Sequence, residues 1–145
     1  MLVPEKYRSQ EPAKAVSAWL TDIFTYTREN TRPDWLATDT WPTRSEIEKV
    51  IADTGELRDD CDGYAFAACY ALADLGAKAR VVITRTEVPE ELHMVAEDEA
   101  GNVIDLRFPG TPTTWPDLKQ AGYRPVEMSG FFEFGEVGVW REVQA

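Results

Sequence analysis

The chain contains one histidine, His93, and two cysteines, Cys61 and Cys69, among its 145 residues. A cysteine attacks as its thiolate, and a helix amino terminus stabilises that anion through unpaired N–H groups and the helix dipole. Cys61 lies in the run Asp59-Asp60-Cys61-Asp62-Gly63, at the predicted start of an apolar helix. Cys69 lies two turns deeper among alanines and aromatics, so Cys61 is the candidate nucleophile and Cys69 a core residue. Any Cys–His pair must use His93 as its base, and Asp105 is the candidate third member. A triad needs this third group to hold one ring nitrogen while the other faces the nucleophile.

The elements that would position these residues can be read from their spacing. Residues 12–30 predict a first helix, with Pro12 near its start and Val16, Trp19, Leu20, Ile23 and Phe24 at helical intervals. The stretch Asn30–Pro42 reads as irregular, and Ser45–Ile51 as a short helix capped by Ser45 or Thr43. In the helix after Asp59, the residues Cys61, Tyr64, Ala65, Ala68, Cys69, Leu72 and Leu75 share one face. The rest is nearly as apolar, which marks a central helix covered on several sides, and Gly76 ends it. The two cysteines lie eight residues apart in that helix, about 12 Å by helical rise, too far for a disulfide.

The period then changes to two, and Ala79–Thr86, Leu92–Glu97 and Val103–Leu106 predict strands. Asp98-Glu99-Ala100-Gly101-Asn102 supplies good hairpin residues. A three- or five-residue loop centred on Glu99 would set His93 directly opposite Asp105, whereas an even-numbered loop would send Asp105 to the other face. Trp115–Ala121 predicts a short helix entered through Pro116, and Tyr123–Met128 and Val137–Val143 two more strands. The expected fold class is α+β, one domain over residues 1–145, with a central helix on an antiparallel sheet.

Taken singly, each residue has a plainer explanation: Cys61 as a small buried hydrophobe, His93 as a structural strand residue, Asp105 as an ordinary acid. Together they also carry a resemblance. Asp60-Cys61-Asp62-Gly63-Tyr64-Ala65, His93-Met94-Val95-Ala96-Glu97 and Asn102-Val103-Ile104-Asp105 resemble the three motifs of the transglutaminase-like superfamily. The branch they most resemble is that of the bacterial transglutaminase-like cysteine peptidases. Trp41-Pro42-Thr43-Arg44-Ser45-Glu46 resembles the Trp-containing segment that those proteins place before the cysteine, and the likeness spans about residues 35–108. The chain departs from the pattern at Asp59, where a glycine is common, and at Gly63, where an acid is common.

The resemblance implies a papain/transglutaminase-like core and acyl transfer through a thioester on Cys61, with a protein or peptide substrate. The backbone N–H of Cys61 is the first candidate oxyanion donor, and the Trp41 indole N–H is a second candidate for which core packing is the plainer role. Some members bind calcium near the cysteine. Asp59, Asp60 and Asp62 could do so here, but they are adequately explained as acids at a helix start, and no cofactor is expected. The same carboxylates disfavour a thiolate at Cys61, which a close His93 imidazolium, or an inward-turned helix dipole with the acids turned outward, must offset.

Composition bounds the alternatives. A formal charge of −11 argues against nucleic acid as a partner. No apolar run reaches the roughly 20 residues of a membrane span. Met1-Leu2-Val3-Pro4-Glu5-Lys6 lacks a signal-peptide core, so a cytoplasmic location is expected, in the host cell if the chain is viral. Amide hydrolysis and amine transfer by the same thioester are both compatible with the residues. So is a non-catalytic interaction module that retains the fold, such as a viral accessory protein. The related cell-wall peptidases usually add a further polar third residue such as histidine, and this chain has no second histidine.

Overall fold

The computed structural model describes residues 1–27, 42–87, 92–129 and 141–142. After a 3-10 turn at Glu5–Tyr7, helix α1 spans Pro12–Ile23 and runs directly into strand β1, Phe24–Tyr26. Helix α2 (Arg44–Thr54), strand β2 (Leu57–Asp59) and helix α3 (Cys61–Asp74) follow. The second half supplies β3 (Ala79–Arg85), β4 (Leu92–Asp98), β5 (Val103–Ile104), α4 (Trp115–Gln120), β6 (Arg124–Met128) and β7 (Arg141–Glu142). The architecture is α+β, with an antiparallel sheet of order β5-β4-β3-β6-β7 and a separate parallel pair, β1 and β2.

The predicted first helix is too long: it ends at Ile23, and Phe24 adopts extended backbone at φ −90° and ψ 134°. Phe24-Thr25-Tyr26 is an aromatic and β-branched run that suits a strand, and the helical spacing extends through Phe24 only by coincidence. Its partner was not predicted either. Phe24 pairs with Leu57 and Tyr26 with Asp59, and the N–H of Thr27 donates to the Asp59 carbonyl at 2.8 Å. This pairing anchors Asp59, two residues before Cys61.

Helix α2 is longer than predicted. It is capped by Thr43, in a reciprocal capping box with Glu46, and stopped by Gly55 at φ 76°. Helix α3 is buried from Gly63 through Leu72, and the Tyr70 hydroxyl donates to the Pro42 carbonyl at 2.8 Å. Its end is a Schellman motif: Gly76 sits at φ 82°, Ala77 N–H bonds to Leu72 O, and Gly76 N–H to Ala73 O.

The sheet is covered on both faces, which explains why β4 is buried at every position after Leu92. Ala79, Val81, Met94, Ala96 and Ile104 pack with α3 and α1. Val82, Val95 and Val103 pack with Leu118 of α4 and with Tyr123. Burying each valine, leucine, isoleucine or methionine among them is worth roughly 1.5–3 kcal/mol, and together these contacts lock β4 between the two layers. Among the described residues, no helix is long and apolar enough to cross a membrane. Of the strand predicted at Val137–Val143, only Arg141–Glu142 falls within the described residues, as β7.

Candidate functional site

The start of α3 is built by two consecutive aspartates. Asp60 is the N-cap residue, and its Oδ1 accepts from the N–H of Asp62 at 3.0 Å. Asp59 Oδ1 accepts from the N–H of Asp60 at 2.8 Å, and the Asp59 side chain fills the space beside Gly63 that a Cβ would occupy. A Cβ at position 63 would stand 2.2 Å from Asp59 Oδ2 and 2.6 Å from Asp59 Cβ. The glycine that departs from the family pattern is therefore the complement of Asp59, the other departure. Gly63→Ala is expected to lower stability by about 1–3 kcal/mol despite alanine's better helix propensity, because the clash outweighs it. Thermal melts of Gly63→Ala, Asp59→Gly and the double variant check this. Gly63→Ala should cost less in the Asp59→Gly background than in wild type, and a single Gly63→Ala variant as stable as wild type would contradict the packing argument.

Cys61 is partly exposed and Cys69 is buried; both are free thiols. Burial pushes the Cys61 thiol well above the ordinary cysteine range, and the charge of Asp62 pushes it further. The backbone N–H of Met94 on β4 opposes this by stabilising the sulfur, while Asp60 adds a smaller upward push. The resting thiol points to Asp62, with Sγ 3.6 Å from Oδ1. The acids beside the cysteine thus act as the sequence implied, and the sulfur itself rests against β4 one residue from His93.

His93 and Asp105 form a buried pair, with Nε2 2.6 Å from Oδ1 and side chains 3% and 0% exposed. The hairpin register differs from the predicted one. Glu97 pairs with Val103 and Ala96 with Ile104, so the loop is centred on Ala100 and Asp105 falls opposite Val95. Asp98 sets this register: its two carboxylate oxygens accept from the backbone and side-chain N–H groups of Asn102, both at 2.9 Å, and Gly101 takes φ 90°. The shift is two in the pairing sum, which preserves the face, so Asp105 reaches His93 diagonally. The bond to Nε2 leaves Nδ1 as the ring nitrogen available to a nucleophile.

Asp105 is held by more than the histidine. Its Oδ1 also accepts from the N–H of Arg107 at 3.0 Å, as the chain turns out of β5. The Tyr123 ring stands edge-on to His93 with centroids 5.8 Å apart, and Arg107 Nη1 donates to the Tyr123 hydroxyl at 3.3 Å. Burial raises the Tyr123 phenol, the Arg107 hydrogen bond lowers it, and the charge of Asp105 together with a hydrogen bond toward its carboxylate raises it again. Sequence reasoning missed Tyr123, Arg107 and the Met94 N–H. Tyr123 and Arg107 fall in stretches with no motif, and a backbone donor leaves no trace in residue type.

No family model and no curated protein matches the chain. The site therefore rests on its own geometry. Trp41, the second candidate oxyanion donor, lies outside the described residues. Among the described residues the one group with metal-ligand spacing is Asp60, Cys61 and Asp62, whose ligand atoms lie within 4.8 Å of one another. That set offers two carboxylates and a sulfur, whereas calcium takes six to eight oxygens. Asp60 Oδ1 is also engaged in capping the helix.

Proposed function

We propose that the chain is a cysteine-dependent amide hydrolase or acyl transferase with a papain/transglutaminase-like core, acting on a protein or peptide in the cytoplasm. The observation that carries this reading is the buried His93–Asp105 bond on the strand whose next N–H, that of Met94, stabilises the Cys61 sulfur. In this reading Cys61 Sγ attacks an amide carbonyl as His93 Nδ1 takes its proton, forming the S–C bond. His93 returns that proton to the nitrogen as the C–N bond breaks, and water or an amine then resolves the thioester. Because burial and Asp62 disfavour a free thiolate, proton transfer accompanies attack rather than preceding it. Cys61 is the first residue of α3, so its N–H has no acceptor within the helix and is the natural oxyanion donor.

The test is acylation by a small activated ester, followed by intact-mass and peptide analysis. A thioester should form on Cys61 and turn over in the wild type, with Cys69 unmodified and with acylation much slower in His93→Ala. Brief iodoacetamide treatment at neutral pH should likewise give a single adduct, on the Cys61 peptide, because Cys69 is 0% exposed. Labelling of Cys69 first would reverse the assignment of nucleophile and core residue. Product analysis separates the two activities: new termini mark hydrolysis, and ammonia with amine adducts marks transfer. The elevated Cys61 thiol favours one other reading, an interaction module that keeps the fold without catalysis. Equal Cys61 reactivity in wild type and His93→Ala would select that reading.

A further inference from the structure

Two buried polar atoms at this site, Tyr64 Oη and Asp105 Oδ2, have no direct hydrogen-bond partner, although the Tyr123 hydroxyl also lies close to the Asp105 carboxylate. Tyr64 is 2% exposed and lies one turn after Cys61 on α3, its ring edge-on to Phe24 at 4.9 Å. One orphan is an O–H donor and the other a carboxylate acceptor, so each is what the other lacks. Leaving both unsatisfied in a dry interior is costly, and buried polar groups nearly always find a protein or water partner. We propose that Tyr64 is a positioning residue for the His93–Asp105 pair, its hydroxyl donating to Asp105 Oδ2 through one bridging water. Burial raises the Tyr64 phenol first, and the charge acting on it besides is that of Asp105.

The consequence is a carboxylate held on both oxygens. Oδ1 takes His93 Nε2 and the Arg107 N–H, while Oδ2 takes the Tyr64 link. This fixes the plane of the carboxylate, and with it the direction in which His93 presents Nδ1. It also joins α3, which carries the nucleophile, to the strand pair that carries the base. The groups surrounding Asp105 are then His93 from β4, Tyr64 from α3, Tyr123 after α4, and Arg107. The catalytic meaning of the link rests on the function proposed above, but the link itself can be read without turnover.

With one histidine in the chain, the His93 Nε2–H proton resonance is unambiguous. Tyr64→Phe removes the donor and keeps the ring. Oδ1 then becomes the stronger acceptor, and the Nε2–H resonance moves downfield. Tyr70→Phe is the control, because it removes another buried hydroxyl of α3, one bonded to Pro42. It should lower the melting temperature and leave the resonance unmoved. Spectra of tyrosine labelled at Cζ supply the reciprocal reading in the wild-type fold: the Tyr64 signal should shift in Asp105→Asn. An unmoved Nε2–H resonance in folded Tyr64→Phe overturns the inference. If that variant does not fold, an unmoved Tyr64 Cζ signal in Asp105→Asn overturns it. Neither result bears on Cys61 acylation, so the proposed function stands or falls separately.

Discussion

Asp105→Asn is expected to reduce turnover by about 10²–10⁴-fold, the scale seen when the third member of a triad is lost. The carboxylate accepts from His93 Nε2 at 2.6 Å in a site with 1% exposure, so the bond is shielded from competing water. An amide there can present its N–H₂ to the ring and favour the tautomer that cannot accept a proton at Nδ1. Because His93 and Arg107 share Oδ1, an amide turned this way gives up the Arg107 N–H, whereas the opposite orientation keeps both contacts through a weaker, uncharged acceptor. Stability should change by about 1 kcal/mol, since a buried charge is removed along with part of its hydrogen bonding. Alkylation of Cys61 should slow as well, because a misoriented imidazole receives the thiol proton less readily. Rates for wild type, Asp105→Asn and His93→Ala across pH 5 to 9 provide the measurement. Superimposable wild-type and Asp105→Asn profiles would remove Asp105 from the machinery.

Much of this site was legible because its parts are local. The apolar run from Tyr64 to Leu72 announces a central helix, and the aspartates before it announce where that helix begins. The His93–Asp105 contact was legible by parity alone: the predicted register was off, yet an even shift in the pairing sum keeps both side chains on one face. What decided the register was Asp98 bonding across the turn to Asn102, a choice among polar loop residues that alternation does not reveal. The parallel pairing of β1 with β2 joins residues about thirty positions apart, and neither three-residue strand carries a periodic signal of its own. Gly63 is the converse case. It stood out as a departure from a family pattern, and its physical reason, the Asp59 side chain in the space a Cβ would occupy, requires coordinates.

Asp62→Asn should make the Cys61 thiol more reactive, the opposite of what losing a residue beside a nucleophile usually does. After burial, the Asp62 charge is the largest influence raising this thiol, and its Oδ1 is the group the resting Sγ–H faces at 3.6 Å. The isosteric amide removes the charge and keeps the volume, so more thiolate is present at any pH below the thiol's own. A drop of one unit gives about tenfold more thiolate, partly offset by its lower intrinsic nucleophilicity, for a net gain of roughly three- to fourfold in alkylation rate. Because the wild-type thiol lies above its ordinary range, its rate should climb steadily from pH 7 to 9. The variant's curve should be displaced to lower pH. The helix loses an acid from its first turn, a cost of about 0.3–1 kcal/mol, and keeps the Asp60 cap. Thiol reactivity and turnover need not move together. If His93 takes the proton during attack, Asp62 restrains the thiol only at rest, and turnover should gain less than alkylation does. A slower-reacting thiol in Asp62→Asn would mean that Asp62 is the group receiving the Cys61 proton. The base would then lie on α3 rather than on β4.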